Sequence, residues 1–136
     1  MLSITLAQAQ YILEQGIEKI KHMPGKAVCI SICDAQGFLV SFVRMDEATL
    51  RSIEIAQRKA YSSVRLGLTT AAFDARLKRE DIPISYFGDT LLTALPGGSV
   101  VLNASGGIIG GVGVSGLTPQ EDQGLADELA GFIRAH

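Results

Sequence analysis

One stretch restricts this chain more than any other: Ile109-Gly-Gly-Val-Gly-Val-Ser-Gly116. The valines and isoleucine favour a strand, and glycines inside a strand mark bulges or places where another backbone or a flat ligand comes close. Gly111 to Gly116 also matches G-x-G-x-x-G, the turn that holds a dinucleotide pyrophosphate. That fingerprint needs a second parallel strand after its helix, carrying an acidic residue about 20 residues on. Only 20 residues follow Gly116, with no second strand and no such acid. The glycines fall on the body of a hairpin strand, so nicotinamide-dinucleotide binding is rejected on this motif.

The rest of the chain supports that reading. Thr5-Leu-Ala-Gln8 is a capping box. Leu6, Ala9, Leu13, Ile17 and Ile20 then follow helical spacing to a stop at Pro24-Gly25. Residues 27–33 and 38–45 read as strands around the turn Asp34-Ala-Gln-Gly37. Thr49 is placed to cap a helix to about Leu66, with Gly67 as its stop and Ile53, Ala56, Ala60 and Val64 as its buried stripe. Glu47 with Arg51, and Glu54 with Arg58, have the spacing of helical ion pairs. Thr70 is expected to cap a shorter helix to about Lys78. Residues 82–98 have no clean period and read as an irregular connection with one helical turn. Residues 99–103 and 108–115 form a second hairpin. Thr118-Pro-Gln-Glu121 opens the last helix, whose apolar face is Leu125, Ala126, Leu129, Phe132 and Ile133. Two hairpins and no crossover predict a single α+β domain over residues 1–136, an antiparallel sheet of four to five strands flanked by helices.

Several function classes drop out. The net charge is −2, and the basic run Arg76-Leu-Lys-Arg79 is met at once by Glu80 and Asp81. Nucleic acid is therefore not an expected partner. No apolar run approaches the roughly 20 residues of a membrane span, yet 47% of residues are apolar. That excess is read as a full core plus an interface between copies of the chain. Cys29 and Cys33 would lie about 13 Å apart on one strand face, too far for a disulfide or a shared metal. With the opening run MLSITLAQ showing no export signal, the expected location is cytoplasmic. There is no G-x-S-x-G, no H-E-x-x-H and one plausible triad histidine, so a hydrolase is disfavoured.

Several motifs together resemble the GlcG/HbpS family, also known as DUF336 or the haem-degrading domain, which includes the C-terminal domain of PduO-type cobalamin adenosyltransferases. They are Val28 to Asp34 leading into the Asp34–Gly37 turn, Arg44-Met-Asp46, Ser52-Ile-Glu-Ile-Ala-Gln-Arg-Lys-Ala60, Pro96-Gly-Gly98, and the glycine strand followed by Asp122. The resemblance implies a profilin-like fold with five strands, homo-oligomers that are commonly octamers, and binding of haem or sometimes free iron. It also implies occurrence beside glycolate-use or diol- and glycerol-dehydratase genes. Two departures stand out: Gln36-Gly37 replaces a double glycine at the first turn, and Ser99-Val-Val-Leu-Asn103 replaces a Leu-Pro segment.

Haem iron accepts His, Met, Cys or Tyr. His136 is the last residue, which leaves His22, followed by Met23. The resemblance makes His22 the candidate axial ligand; as a plain surface residue it would instead be a cation favoured by a helix C-terminus. Haem propionates want cations. Arg44, Lys59, Arg58 and Lys26 are candidates, with Lys59 bordering the buried Ala60 and matching the family motif. Arg58 with Glu54, and Arg44 with Asp46, also read as structural ion pairs. The expected function is binding of haem or a related tetrapyrrole by a small homo-oligomer, in support of haem degradation or iron handling. The competing reading is a non-enzymatic accessory or assembly protein for a metabolic enzyme. A third reading is a small-molecule enzyme using Arg44, Asp46 and Lys59.

Overall fold

The computed structural model describes residues 2–134. Helix α1 (Leu6–Lys21) opens with the expected box: the Gln8 amide donates to the Thr5 hydroxyl at 3.1 Å, and the Thr5 amide to the Gln8 side chain at 3.0 Å. Its buried face is Ala9, Ile12, Leu13, Gly16 and Ile20. Leu6, expected on that face, is exposed. Strands β1 (Cys29–Asp34) and β2 (Leu39–Arg44) form a hairpin. The Asp34 carboxylate holds its turn by accepting from the Gln36 and Phe38 amides, and Gly37 takes φ +99°. Next come helices α2 (Arg51–Leu66) and α3 (Thr70–Glu80), a 3-10 turn at Ile84–Phe87, strands β3 (Gly98–Leu102) and β4 (Ile108–Ser115), and helix α4 (Pro119–Arg134).

The four strands pair antiparallel in the order β2-β1-β4-β3. The α+β class stands, at the lower strand number; the fifth strand is not among the described residues. Helices α1 and α4 cover one face, and α2 covers the other. The main core lies on the α1/α4 side, where Val28, Ile30, Ile32, Val112 and Val114 meet Ile12, Ile20 and Leu129. Each such side chain contributes roughly 1.5–3 kcal/mol by leaving water.

The α2 side is thin, and the glycine strand explains it. Gly111 and Gly113 turn towards α2. A Cβ on Gly111 would lie 2.8 Å from the Ala60 carbonyl oxygen, and one on Gly113 would overlap the Ala56 carbonyl. The helix answers with Ala56 and Ala60, both fully buried. The first two glycines of the G-x-G-x-x-G match, Gly111 and Gly113, therefore let a helix lie directly on sheet backbone.

Three local expectations change. Thr49 does not cap α2: its hydroxyl pairs with the Ser52 hydroxyl at 2.8 Å, and Leu50 stands at the cap without a side-chain bond. Thr69, not Thr70, caps α3, accepting from the Ala72 amide at 3.1 Å. Neither expected α2 ion pair is among those of the described residues. Glu47 takes φ +70°, ahead of the helix, and Arg58 donates to the Thr90 carbonyl at 2.9 Å.

Candidate functional site

The site is best approached from the end of the sheet where β1 starts and β2 stops. His22 caps the C-terminus of α1 there, where Lys19 and Lys21 also fall in the last turn. Its side chain is 77% exposed, and its Nε2 stands 3.5 Å from Glu18. Met23 follows and turns inward, packed against the main core. Its amide donates to Ile20 and its carbonyl accepts from Lys26, which fixes the turn carrying His22. Arg44 ends β2 opposite Cys29 and is exposed. Its expected partner Asp46 is not among the ion pairs of the described residues. His22 and Met23 thus close α1 on the Ile30 face of the sheet, whereas Arg44 is paired with Cys29 and lies on the α2 face. His136 lies outside the described residues.

Lys59 is placed differently. Its side chain is 3% exposed, and its ammonium donates to Asp122 at 3.0 Å and to the Val114 carbonyl at 2.9 Å. Asp122 sits in the first turn of α4 and accepts from the Leu117 amide through its other oxygen. Burial pushes Lys59 below the usual lysine range and Asp122 above the usual carboxylate range. Beside them the Gln123 carboxamide accepts from Gly97 at 2.7 Å and from Thr70 and Ala71, and donates to the Gly98 carbonyl and Asp127. The sequence drew attention to Lys59 but not to Gln123. A polar pair in the first turn of a well-capped helix was the available signal.

Both cysteines are free and buried. Burial and the nearby Asp34 charge push the Cys33 thiol up to about 12, and burial raises Cys29 as well. Neither offers iron a thiolate. In the native protein at pH 8 both thiols should stay silent to Ellman's reagent, and both should react once urea unfolds the chain. Prompt reaction of either thiol without denaturant would contradict that placement.

Three cavities stand out among the described residues. One of about 230 Å³ lies between β1 and α2, with Glu54, Gln57, Arg58 and Tyr61 above Cys33. A second, of about 330 Å³, lies over Lys59 and Asp122. The third is an open groove of about 550 Å³ beside α3. None is lined by His22. His22 thus presents an accessible imidazole nitrogen outside these three cavities. No group of three or more metal-ligating side chains occurs among the described residues, and no helix is long and apolar enough to cross a membrane.

A family model described as haem degrading protein HbpS-like matches residues 4–130. Among solved structures, the Klebsiella pneumoniae protein ORFY, assigned to DUF336, is 28% identical. That match has a TM-score of 0.86 and covers 98% of this chain and 94% of that one. A double mutant of Streptomyces reticuli HbpS is 25% identical, with TM-score 0.85 and coverage of 96% and 87%. A PduOC:heme complex is 22% identical, with TM-score 0.82 and coverage of 96% and 94%. No curated protein matches.

Proposed function

The chain belongs to the HbpS-like family of haem degrading proteins, and from that premise we propose that it binds haem or a related tetrapyrrole between two copies of itself, with His22 as axial ligand. One observation carries the reading. His22 presents an exposed imidazole on a helix end that Met23 anchors to the core. The alternatives are poorer donors: the cysteines are buried thiols, the Met23 sulfur belongs to an inward-packed side chain, and the Tyr61 hydroxyl is committed to Asp89. Bound haem would supply the iron chemistry, while the chain holds and orients it. Arg44, exposed at the end of β2, takes the propionate role, supplied by the second copy. Lys59 is left out because it is buried beneath a cavity that His22 does not line.

Because a single copy gives only one wall, a second must supply the other. Phe38, Leu39 and Leu91 are exposed at 62%, 54% and 44%, but they lie where β2 begins, at the far end of the sheet from Arg44, so they offer a separate apolar surface for assembly and not the haem wall itself. The same patch favours the accessory reading if its occupant is a different protein.

A hemin titration on wild type and His22→Ala tests the proposal. The expected result is a saturable Soret band at one haem per subunit or per pair. The alanine variant should bind more than about tenfold weaker, since losing even an outer partner of a metal ligand costs that much. An identical band in both proteins would move the ligand to an exposed tyrosine, Tyr11 or Tyr86. No saturable band in either would overturn haem binding and favour the accessory role.

A further inference from the structure

The cavity over the Lys59–Asp122 pair has a composition that the haem reading does not use. Its floor is built from side chains that are almost wholly buried: Lys59 at 3%, Ser52 at 2% and Ser115 at 6% exposure. Arg51 stands at its rim, exposed. The remaining wall is apolar and comes from Ile55, Leu95, Pro96 and Leu117.

Unused hydrogen-bond donors meet here. Thr49, Ser52 and Ser115 carry three hydroxyl protons, but they make two bonds among themselves, Thr49 to Ser52 at 2.8 Å and Ser115 to Ser52 at 3.3 Å. One hydroxyl proton is left over. The Lys59 ammonium has three donors and makes two bonds among the described residues. Both oxygens of Asp122 already accept, from Lys59 and from the Leu117 amide. Lys59 and Arg51 set two positive charges against the one carboxylate in the lining. The cavity is thus donor-rich, carries a single positive charge in excess, and has an apolar side. At about 330 Å³ it falls at the small end of ligand pockets, which span roughly 300–1,000 Å³.

We propose that this cavity binds a small organic monocarboxylate, with its carboxylate on the spare hydroxyl of the Thr49–Ser52 pair and the third Lys59 donor, and its carbon chain against Ile55, Leu95 and Leu117. The excess of one charge matches a monoanion. The apolar wall matches a short aliphatic body, which a bare inorganic anion would leave uncovered. The inference is independent of haem: it uses neither His22 nor a second copy.

Isothermal titration of hemin-free protein with butanoate, butan-1-ol and inorganic phosphate tests it. Butanoate should saturate at one per chain, with the alcohol and phosphate at least about tenfold weaker. Ser52→Ala should weaken butanoate roughly tenfold by removing a buried donor. Arg51→Gln, a surface change that leaves the core untouched, should weaken it roughly threefold, as befits an exposed charge. His22→Ala should leave it unchanged, so haem binding and carboxylate binding can fail separately. Equal binding of butanoate and butanol, or no binding, would overturn the proposal. So would wild-type affinity in both Arg51→Gln and Ser52→Ala. Phosphate binding as tightly as butanoate would overturn the carboxylate assignment.

Discussion

Replacing Lys59 by methionine is expected to lower the unfolding free energy by about 3–5 kcal/mol, the usual penalty for orphaning one member of a buried ion pair. Asp122 is 4% exposed by side chain, and it would keep only the Leu117 amide as a described side-chain partner. The double variant Lys59→Met/Asp122→Leu should recover most of the loss, because no unpaired charge is then buried. The direction follows from the titration of the pair. Burial lowers Lys59 and raises Asp122. A lowered lysine favours the fold only as pH rises through its folded value towards the unfolded one. A raised carboxylate favours it only as pH falls through its folded value towards the unfolded one. At neutral pH burying the charged pair is therefore a cost that its mutual attraction offsets only in part. In Lys59→Met the penalty should ease on acidification, as Asp122 takes up a proton. Urea titrations of wild type and the two variants at neutral and acidic pH measure all of this. A single variant as stable as wild type would refute the buried pair.

Gly113→Ala should be damaging out of proportion to its one added carbon. The new Cβ would overlap the Ala56 carbonyl, and it would lie 2.6 Å from the Ala60 amide nitrogen. These are backbone atoms of a helix, so relief requires lifting α2 from the sheet. Overpacking a well-filled site costs about 1–3 kcal/mol, occasionally more, and a clash with rigid backbone on both sides belongs at the upper end or beyond. Gly124→Ala is the control. It lies on the exposed side of α4, and nothing within 4 Å would meet its Cβ. There the same change should stabilise by up to about 1 kcal/mol through helix propensity. Thermal melts of the two variants should move in opposite directions.

Much of the architecture was legible because local chemistry decides it. Thr5 with Gln8, and Thr118 with Glu121, form reciprocal caps that depend on nothing outside their own turns. The glycine strand announced a close approach, although not which element approaches. Thr49 misled because a nearby serine competes for its hydroxyl, and a helical period does not register such a rival. The two α2 ion pairs failed for a related reason: Arg58 found a carbonyl in the aperiodic segment 82–98. Partners that meet only through tertiary folding leave little trace in spacing. Lys59 could be placed beside the core face, but Asp122 lies 63 positions away and Gln123 bonds to Gly97, 26 positions away. The cavity above them is legible only in three dimensions, since α2, β4 and the start of α4 each supply part of its lining.

The knot of bonds around Lys59 and Gln123 also determines how this molecule can move. It joins α2 through Lys59, β4 through Val114, α3 through Thr70 and Ala71, and β3 through Gly98, all to the first turn of α4. Peeling any one of these elements away uncovers buried donors and acceptors in several others at once. Piecemeal opening on that side therefore approaches the free energy of unfolding the whole chain. Cheaper fluctuation is left to the stretch from Ile84 to Leu95, none of it buried, which contributes to the lining of all three cavities. Exchange of small molecules with the interior can then proceed by breathing of that stretch while the frame beneath stays closed.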